Sequence, residues 1–234
     1  MEDLTMFERL LTLPLFQGMT LKELSDVLAF VRLDFVNYQK GDEIVCQGDP
    51  CKNLLCIING DVKTRYREEN GLFTMTETLP RLGVIEPYNM FGMYQKYSRD
   101  YIFDSDGVTL NIERKVFINH VLSNQFVKIN MMNIICNRYQ QAQKNLCDYS
   151  IGGVADKVIR FICNNSSIQK GTKSLQIKMV DLASMLQETR LNVSITLNKM
   201  QKQGLLSLQR GIIEIPDIQE LKRRGGFSTK IANN

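Results

Sequence analysis

The sequence predicts an α+β protein: an N-terminal β-roll, a long dimerisation helix and a C-terminal winged helix-turn-helix domain. Three observations predict it. Apolar spacing changes from helical to short β-prone runs near Phe35 and returns to helical after Glu113. The helical stretch that follows keeps a heptad seam for about thirty residues. Beyond it the chain reads helix, short strand, two helices at a tight turn, and a hairpin around Arg210-Gly211.

A chain of 234 residues has room for two domains, each with its own core. We assign 1–117 to the β-roll effector or sensor domain with its N-terminal helices, 118–149 to the dimerisation helix and linker, and 150–234 to the winged helix-turn-helix domain. With 44% hydrophobic and 23% charged residues, the composition is that of an ordinary globular protein. Apolar runs such as Leu54 to Ile58 are too short to cross a bilayer, so no membrane contact is expected. The opening MEDLTMFERLL starts with acids, against the pattern of a secretory signal, which points to the cytoplasm. Cys46, Cys51, Cys56, Cys136, Cys147 and Cys163 lie scattered without a C-x-x-C pair, as free thiols of a reducing compartment do. A single histidine, His120, argues against a metal or haem centre and against a cupin-type enzyme built on the roll. Charge is uneven: residues 150–234 hold 13 Lys and Arg against 6 Asp and Glu, whereas residues 1–149 hold 16 against 19. The basic C-terminal part suits a polyanionic partner.

Each element follows from local pattern. Residues 5–33 read as helical, with Leu21, Leu24, Val27, Leu28 and Val31 on one stripe and a capping box from Thr20 to Glu23. DEIVCQGD, LLCIINGDVKTRY, NGLFTMTETL and DGVTLNIE read as strands, with Asn70-Gly71 as a hairpin turn in which both residues tolerate positive φ. Leu122, Gln125, Ile129, Met132, Cys136, Tyr139, Gln143 and Leu146 alternate steps of three and four, the seam of a dimeric coiled coil. Neighbouring Phe126, Ile134 and Ile135 are expected to pack on the β domain. Tyr149 to Gly153 breaks this helix. VADKVIRFIC is then a helix, NNSSIQKGTKS a loop and LQIKM a short strand. Residues 181–186 and 189–203 are helices, with Gly204 as a stop, and a short helix at 218–224 precedes a loose tail.

In this arrangement Leu182, Ala183 and Leu186 face Val193, Leu197 and Met200, and the second helix presents its other side to the DNA major groove. The candidate DNA-binding residues are Lys178, Thr189, Arg190, Leu191, Asn192, Ser194, Ile195, Asn198, Lys199, Lys202 and Arg210. Thr189 caps the second helix, and the first-turn N–H groups suit a phosphate.

KGDEIVCQGDPCKNLLCIINGDVKTRY, with Gly41, Gly48, Asp49 and Gly60 at turns, resembles the cyclic-nucleotide-binding-like β-roll of the Crp/Fnr family of bacterial transcription regulators. The long helix resembles that family's dimer helix, and residues 177–215 its winged helix. The resemblance implies a homodimeric, sequence-specific transcription regulator, not an enzyme, with double-stranded DNA and RNA polymerase as partners.

The family's effector pocket carries over only in part. Phe91, Gly92 and Met93 stand where the family has Phe-Gly-Glu, and Ser98-Arg99-Asp100 where it has Arg-Ser-Ala. Met93 cannot accept a ribose hydroxyl, Arg99 is one position out of register, and Asp100 repels a phosphate. The roll is therefore expected not to bind cAMP in the usual way. An unknown effector, with no confident cofactor, is the expectation, and a cAMP-responsive regulator with a modified pocket is the alternative. The family's second helix often has Arg-Glu and a further arginine; here Leu191 and Ile195 hold the latter two positions. They can touch thymine methyl groups but cannot hydrogen-bond, which points to a site richer in A/T.

Overall fold

The computed structural model describes residues 5–79, 81–147 and 152–224. In chain order the N-terminal elements are helices α1 (Met6–Thr12) and α2 (Leu21–Leu28), then strands β1 (Asp34–Tyr38), β2 (Glu43–Val45), β3 (Asn53–Asn59) and β4 (Val62–Arg67). Strands β5 (Phe73–Thr78), β6 (Gly83–Ile85), β7 (Asp100–Phe103) and β8 (Gly107–Glu113) follow, then a short helix α3 (Arg114–Val116) and the long α4 (Gln125–Cys147). The remainder is α5 (Val154–Asn165), β9 (Lys173–Ile177), α6 (Met179–Met185), α7 (Arg190–Lys202), β10 (Ser207–Gln209), β11 (Ile212–Ile215) and α8 (Ile218–Arg224).

The chain forms two compact units. One comprises Met1–Thr64 with Leu79–Gln140, the other Arg65–Thr78 with Gln141–Asn234. The segment at residues 65–78, read from sequence as roll, contributes β5 to the second unit.

In the first unit a four-stranded antiparallel sheet runs β1-β8-β3-β6, with β2 paired to β7 across the roll. Leu54 to Ile58 of β3 are all buried, because the strand is covered on both faces. Gly41, Gly48 and Gly60 turn the chain at φ of 97°, 94° and 97°. A side chain at Gly60 would meet Phe103 at 2.7 Å. The α2 capping box is present: Thr20 N–H donates to Glu23 at 2.7 Å, and Glu23 N–H to the Thr20 hydroxyl at 3.2 Å. Leu24 and Leu28 are buried, but Leu21 at the first helical position is 52% exposed and leaves the expected stripe.

The helix after Glu113 is not continuous. A π-helical turn at Phe117–Val121 follows α3, and Asn124 then caps α4, its side chain accepting the Phe126 N–H at 2.9 Å. Val127 and Met131 of α4 enter the core and Ile134 packs beside them, while Phe126 and Ile135 are each 41% exposed. Ile134 thus packs inward as expected, whereas Phe126 and Ile135 are exposed and do not join the core cluster. At the Asn70-Gly71 turn only Gly71 takes positive φ (70°); the Glu68 side chain, accepting the Asn70 N–H at 2.9 Å, holds Asn70 out of that region.

The second unit is a sheet in the order β10-β11-β9-β5 packed on α5, α6, α7 and α8. Its strand β9 begins at Lys173, two residues before the expected LQIKM strand, and pairs with β5 as well as with β11. Residues 149–151 of the expected helix break and the tail at 225–234 lie outside the described residues.

Candidate nucleic-acid interface

Two short helices meeting at a tight turn form the centre of the second unit. Leu182 and Ala183 of α6, and Leu186 just after it, are buried against Val193, Leu197 and Met200 of α7. Ala183, with only a methyl group, lets the helices approach closely. Between them Gln187 adopts left-handed backbone at φ 53°, which ends α6 and redirects the chain in a single residue. Glu188 in the turn pairs with Lys157 of α5 at 2.5 Å, and this hydrogen-bonded ammonium holds its carboxyl below the usual value. Thr189 then caps α7, its hydroxyl accepting the Asn192 N–H at 3.2 Å.

The outward side of α7 is open. Arg190, Leu191, Asn192, Ile195, Asn198 and Lys199 are exposed, with Leu191 at 68% and Ile195 at 58%, and Ser194 is half-buried. Such exposure means that the wing does not cover the two apolar residues. Asn198, though exposed, donates an amide N–H back to the Ser194 carbonyl at 2.8 Å. Elsewhere in this unit, Lys178 stands at the N-cap position of α6, Lys202 ends α7 and Arg210 stands at the tip of the β10–β11 hairpin; all three are exposed. Gly211 makes that tip possible at φ 75°. The unit therefore brings every candidate DNA-binding residue onto its surface except the half-buried Ser194. Helix α7 thus carries one arginine at its start and Lys199 and Lys202 in its last turn.

Sequence reasoning missed what braces this interface. Strand β5 pairs antiparallel with β9, placing Phe73 opposite Ile177, Met75 opposite Leu175 and Glu77 opposite Lys173. Glu77 and Lys173 form an ion pair at 3.0 Å with both side chains fully buried. Ser167 gives Glu77 two more hydrogen bonds, from N–H at 2.8 Å and from its hydroxyl at 2.5 Å, and Lys173 donates to the Lys170 carbonyl at 2.8 Å. Phe73 also stacks edge-on with Phe161 of α5 at 5.1 Å. A partial signal was available, which marked each charge as buried without naming its partner. Period-two alternation puts Glu77 on the buried face of Phe73 and Met75, and Lys173 on that of Leu175 and Ile177, so opposite charges each needed a buried partner.

In the first unit, the five candidate effector residues stand in different settings. Phe91 packs on the core, Gly92 turns the chain at φ 82°, and Met93 is 91% exposed. Arg99 and Asp100 are both buried, Asp100 accepting the Gln47 N–H at 2.8 Å. Ser98 spends its N–H (2.7 Å) and its hydroxyl on Glu86, a residue the sequence did not single out.

On α4, Gln125, Ile129, Met132, Cys136, Tyr139 and Gln143 are exposed, whereas Leu122 precedes the helix and packs partly on its own core. Leu146 lies outside the described side chains. Among the described residues, no group of His, Cys, Asp and Glu could hold a metal ion, and His120 is exposed. Burial pushes the thiols of Cys56 and Cys163 up to about 12 and about 11, which keeps them protonated. No helix of the described residues is long and apolar enough to cross a membrane.

Comparison with known proteins agrees with this geometry. Residues 156–224 match the Crp-like helix-turn-helix domain. None of the curated proteins compared with the chain matches it. Among solved structures, the catabolite activator protein of Thermus thermophilus superposes with a TM-score of 0.50 at 19% identity, covering 90% of this chain and 97% of that one. That likeness is one of fold. The c-di-GMP responsive global regulator CLP of Xanthomonas campestris gives 0.49 at 15% identity, over 84% of this chain and 99% of that one. DNR of Pseudomonas aeruginosa gives 0.43 at 18% identity, over 95% and 99%.

Proposed function

We propose that this chain, a Crp/Fnr-type DNA-binding transcription regulator by its Crp-like helix-turn-helix domain at residues 156–224 and its catabolite-activator fold, acts as a homodimer that reads a specific site and does not bind cAMP in the usual way. The observation that carries the proposal is the outward face of α7. It offers one exposed arginine at the helix start and two exposed apolar residues beside it, with Lys199 and Lys202 in the last turn.

Arg190 reads a guanine through O6 and N7, and Leu191 and Ile195 lie on thymine methyl groups. Lys178, Lys199, Lys202 and Arg210 neutralise phosphates and set register without reading sequence. Dimerisation through Ile129, Met132, Cys136 and Tyr139 brings two reading helices to adjacent half-sites, so the target is palindromic. The reading against cAMP is supported by the engagement of both Ser98 donors by Glu86 and by the outward position of Met93. RNA polymerase is the proposed partner at the promoter.

Selection of bound sequences from random DNA tests the proposal. The expected result is a palindrome with one guanine per half-site and A/T pairs beside it; recovery of no preferred sequence overturns it. On the selected site Arg190→Ala is expected to cost about 1–3 kcal/mol, with little change on scrambled DNA of equal length. Equal loss on both would move Arg190 to the phosphates.

A further inference from the structure

Glu86 is the least expected group in the first unit. It is non-glycine in left-handed backbone (φ 36°, ψ 52°), directly before Pro87, and its side chain is 4% exposed. Such a backbone conformation costs about 1–3 kcal/mol and persists only where surrounding contacts impose it. The contacts here are hydrogen bonds. Four donors converge on its carboxylate: the Ser98 N–H at 2.7 Å, the Ser98 hydroxyl, the Asn89 side-chain amide at 2.6 Å and the Tyr101 hydroxyl at 3.1 Å.

A backbone N–H and an amide on one oxygen, with an aliphatic hydroxyl and a phenol on the other, make a site for any compact oxyanion, carboxylate or phosphate alike. We propose that Asn89, Ser98 and Tyr101 form an oxyanion-binding site whose resident ligand is the chain's own Glu86 carboxylate. The site is closed to free phosphate and to nucleotide phosphates while Glu86 is seated. An acidic effector enters by taking the place of that carboxylate.

Displacement would not stay local. Glu86 begins the 3-10 turn Pro87–Met90, and Tyr88 of that turn lies under the Arg138 guanidinium of α4, 5.4 Å from the ring centroid. An anion that unseats Glu86 therefore moves a turn already in contact with the long helix. This deepens the reading of the roll as a sensor, yet its test is anion binding at the roll and needs no DNA.

Glu86→Gly removes the carboxylate and suits the positive φ, so the backbone is relieved while the cradle is emptied. Thermal unfolding of this variant is followed in sodium acetate, sodium phosphate and sodium chloride at matched ionic strength. Acetate and phosphate are expected to raise its midpoint by about 3–5 °C over chloride at ten times their dissociation constants. The parent protein should show no such difference. Adding Ser98→Ala and Tyr101→Phe to the variant should abolish the anion effect. If Glu86→Gly does not fold in chloride, recovery of native circular dichroism in acetate is the same readout. A variant that responds to acetate and phosphate no more than to chloride overturns the proposal, as does a parent protein that responds as strongly as the variant.

Discussion

Glu77 and Lys173 face each other across the β5–β9 ladder with no exposure on either side chain. Burying two charges is costly, and removing one partner is worse than removing both, because the survivor keeps its desolvation penalty without its attraction. Glu77→Gln keeps an acceptor for Ser167 but strands the ammonium, and is expected to cost about 3 kcal/mol in urea unfolding. Adding Lys173→Met should recover most of that loss; a double variant as unstable as the single one would refute the pairing as the cause. Glu188 illustrates a half-buried case. Its hydrogen bond to Lys157 lowers its carboxyl from the usual 4.5, so the turn gains stability that is present above that value and is lost as pH falls through the depressed one. Glu188→Gln should flatten the acid limb of stability against pH, and an unchanged limb would remove Glu188 from that role. Of these residues the sequence disclosed Glu188 only as part of a turn, since its partner Lys157 lies 31 positions away.

At the scale of elements, α4 divides its apolar residues between two tasks. Val127 and Met131 bind the helix to its own unit, each worth about 1.5–3 kcal/mol of burial, and Ile129, Met132 and Tyr139 remain exposed at 48%, 59% and 62%. Ile129→Glu with Met132→Glu leaves the inner face intact, so sedimentation should report a folded monomer that has lost site-specific DNA affinity. A folded dimer in that variant would refute the α4 seam. Cys136 is exposed on the same seam. A mild oxidant should link two chains through it, and Cys136→Ser should abolish the link. The exposed row of Ile129, Met132 and Tyr139 on α4 was legible because its spacing is local. The break at Ser123 and Asn124 was not, because it arises from the Asn124 cap and a π-helical turn packed on the core.

For the whole molecule the decisive quantity is charge. Four proposed phosphate contacts on each half of a dimer make about eight, which predicts a slope near −7 for the logarithm of affinity against the logarithm of salt concentration. Lys199→Ala and Arg210→Ala should each make that slope shallower by about 2 in the dimer, with the same loss on specific and random DNA. A slope unchanged by both would take these cations off the backbone. The excess of basic residues in 150–234, set against the acidic balance of 1–149, suits the proposed nucleic-acid contact in the C-terminal part.

The sequence by itself determined the order of roll, long helix and winged helix-turn-helix, the cap at Thr189, the inward and outward sides of α7 and the hairpin at Gly211. Each of these depends on residues a few positions apart, whose periodicity and capping chemistry act before any distant contact forms. Only the tertiary structure decided that β5 joins β9, that Glu77 meets Lys173, that Leu191 and Ile195 stay uncovered, and that Glu86 fills a cradle made by Asn89, Ser98 and Tyr101. Strand partners and buried polar groups are chosen by which surfaces the folded chain brings together, and nothing in the local pattern of either segment names its partner.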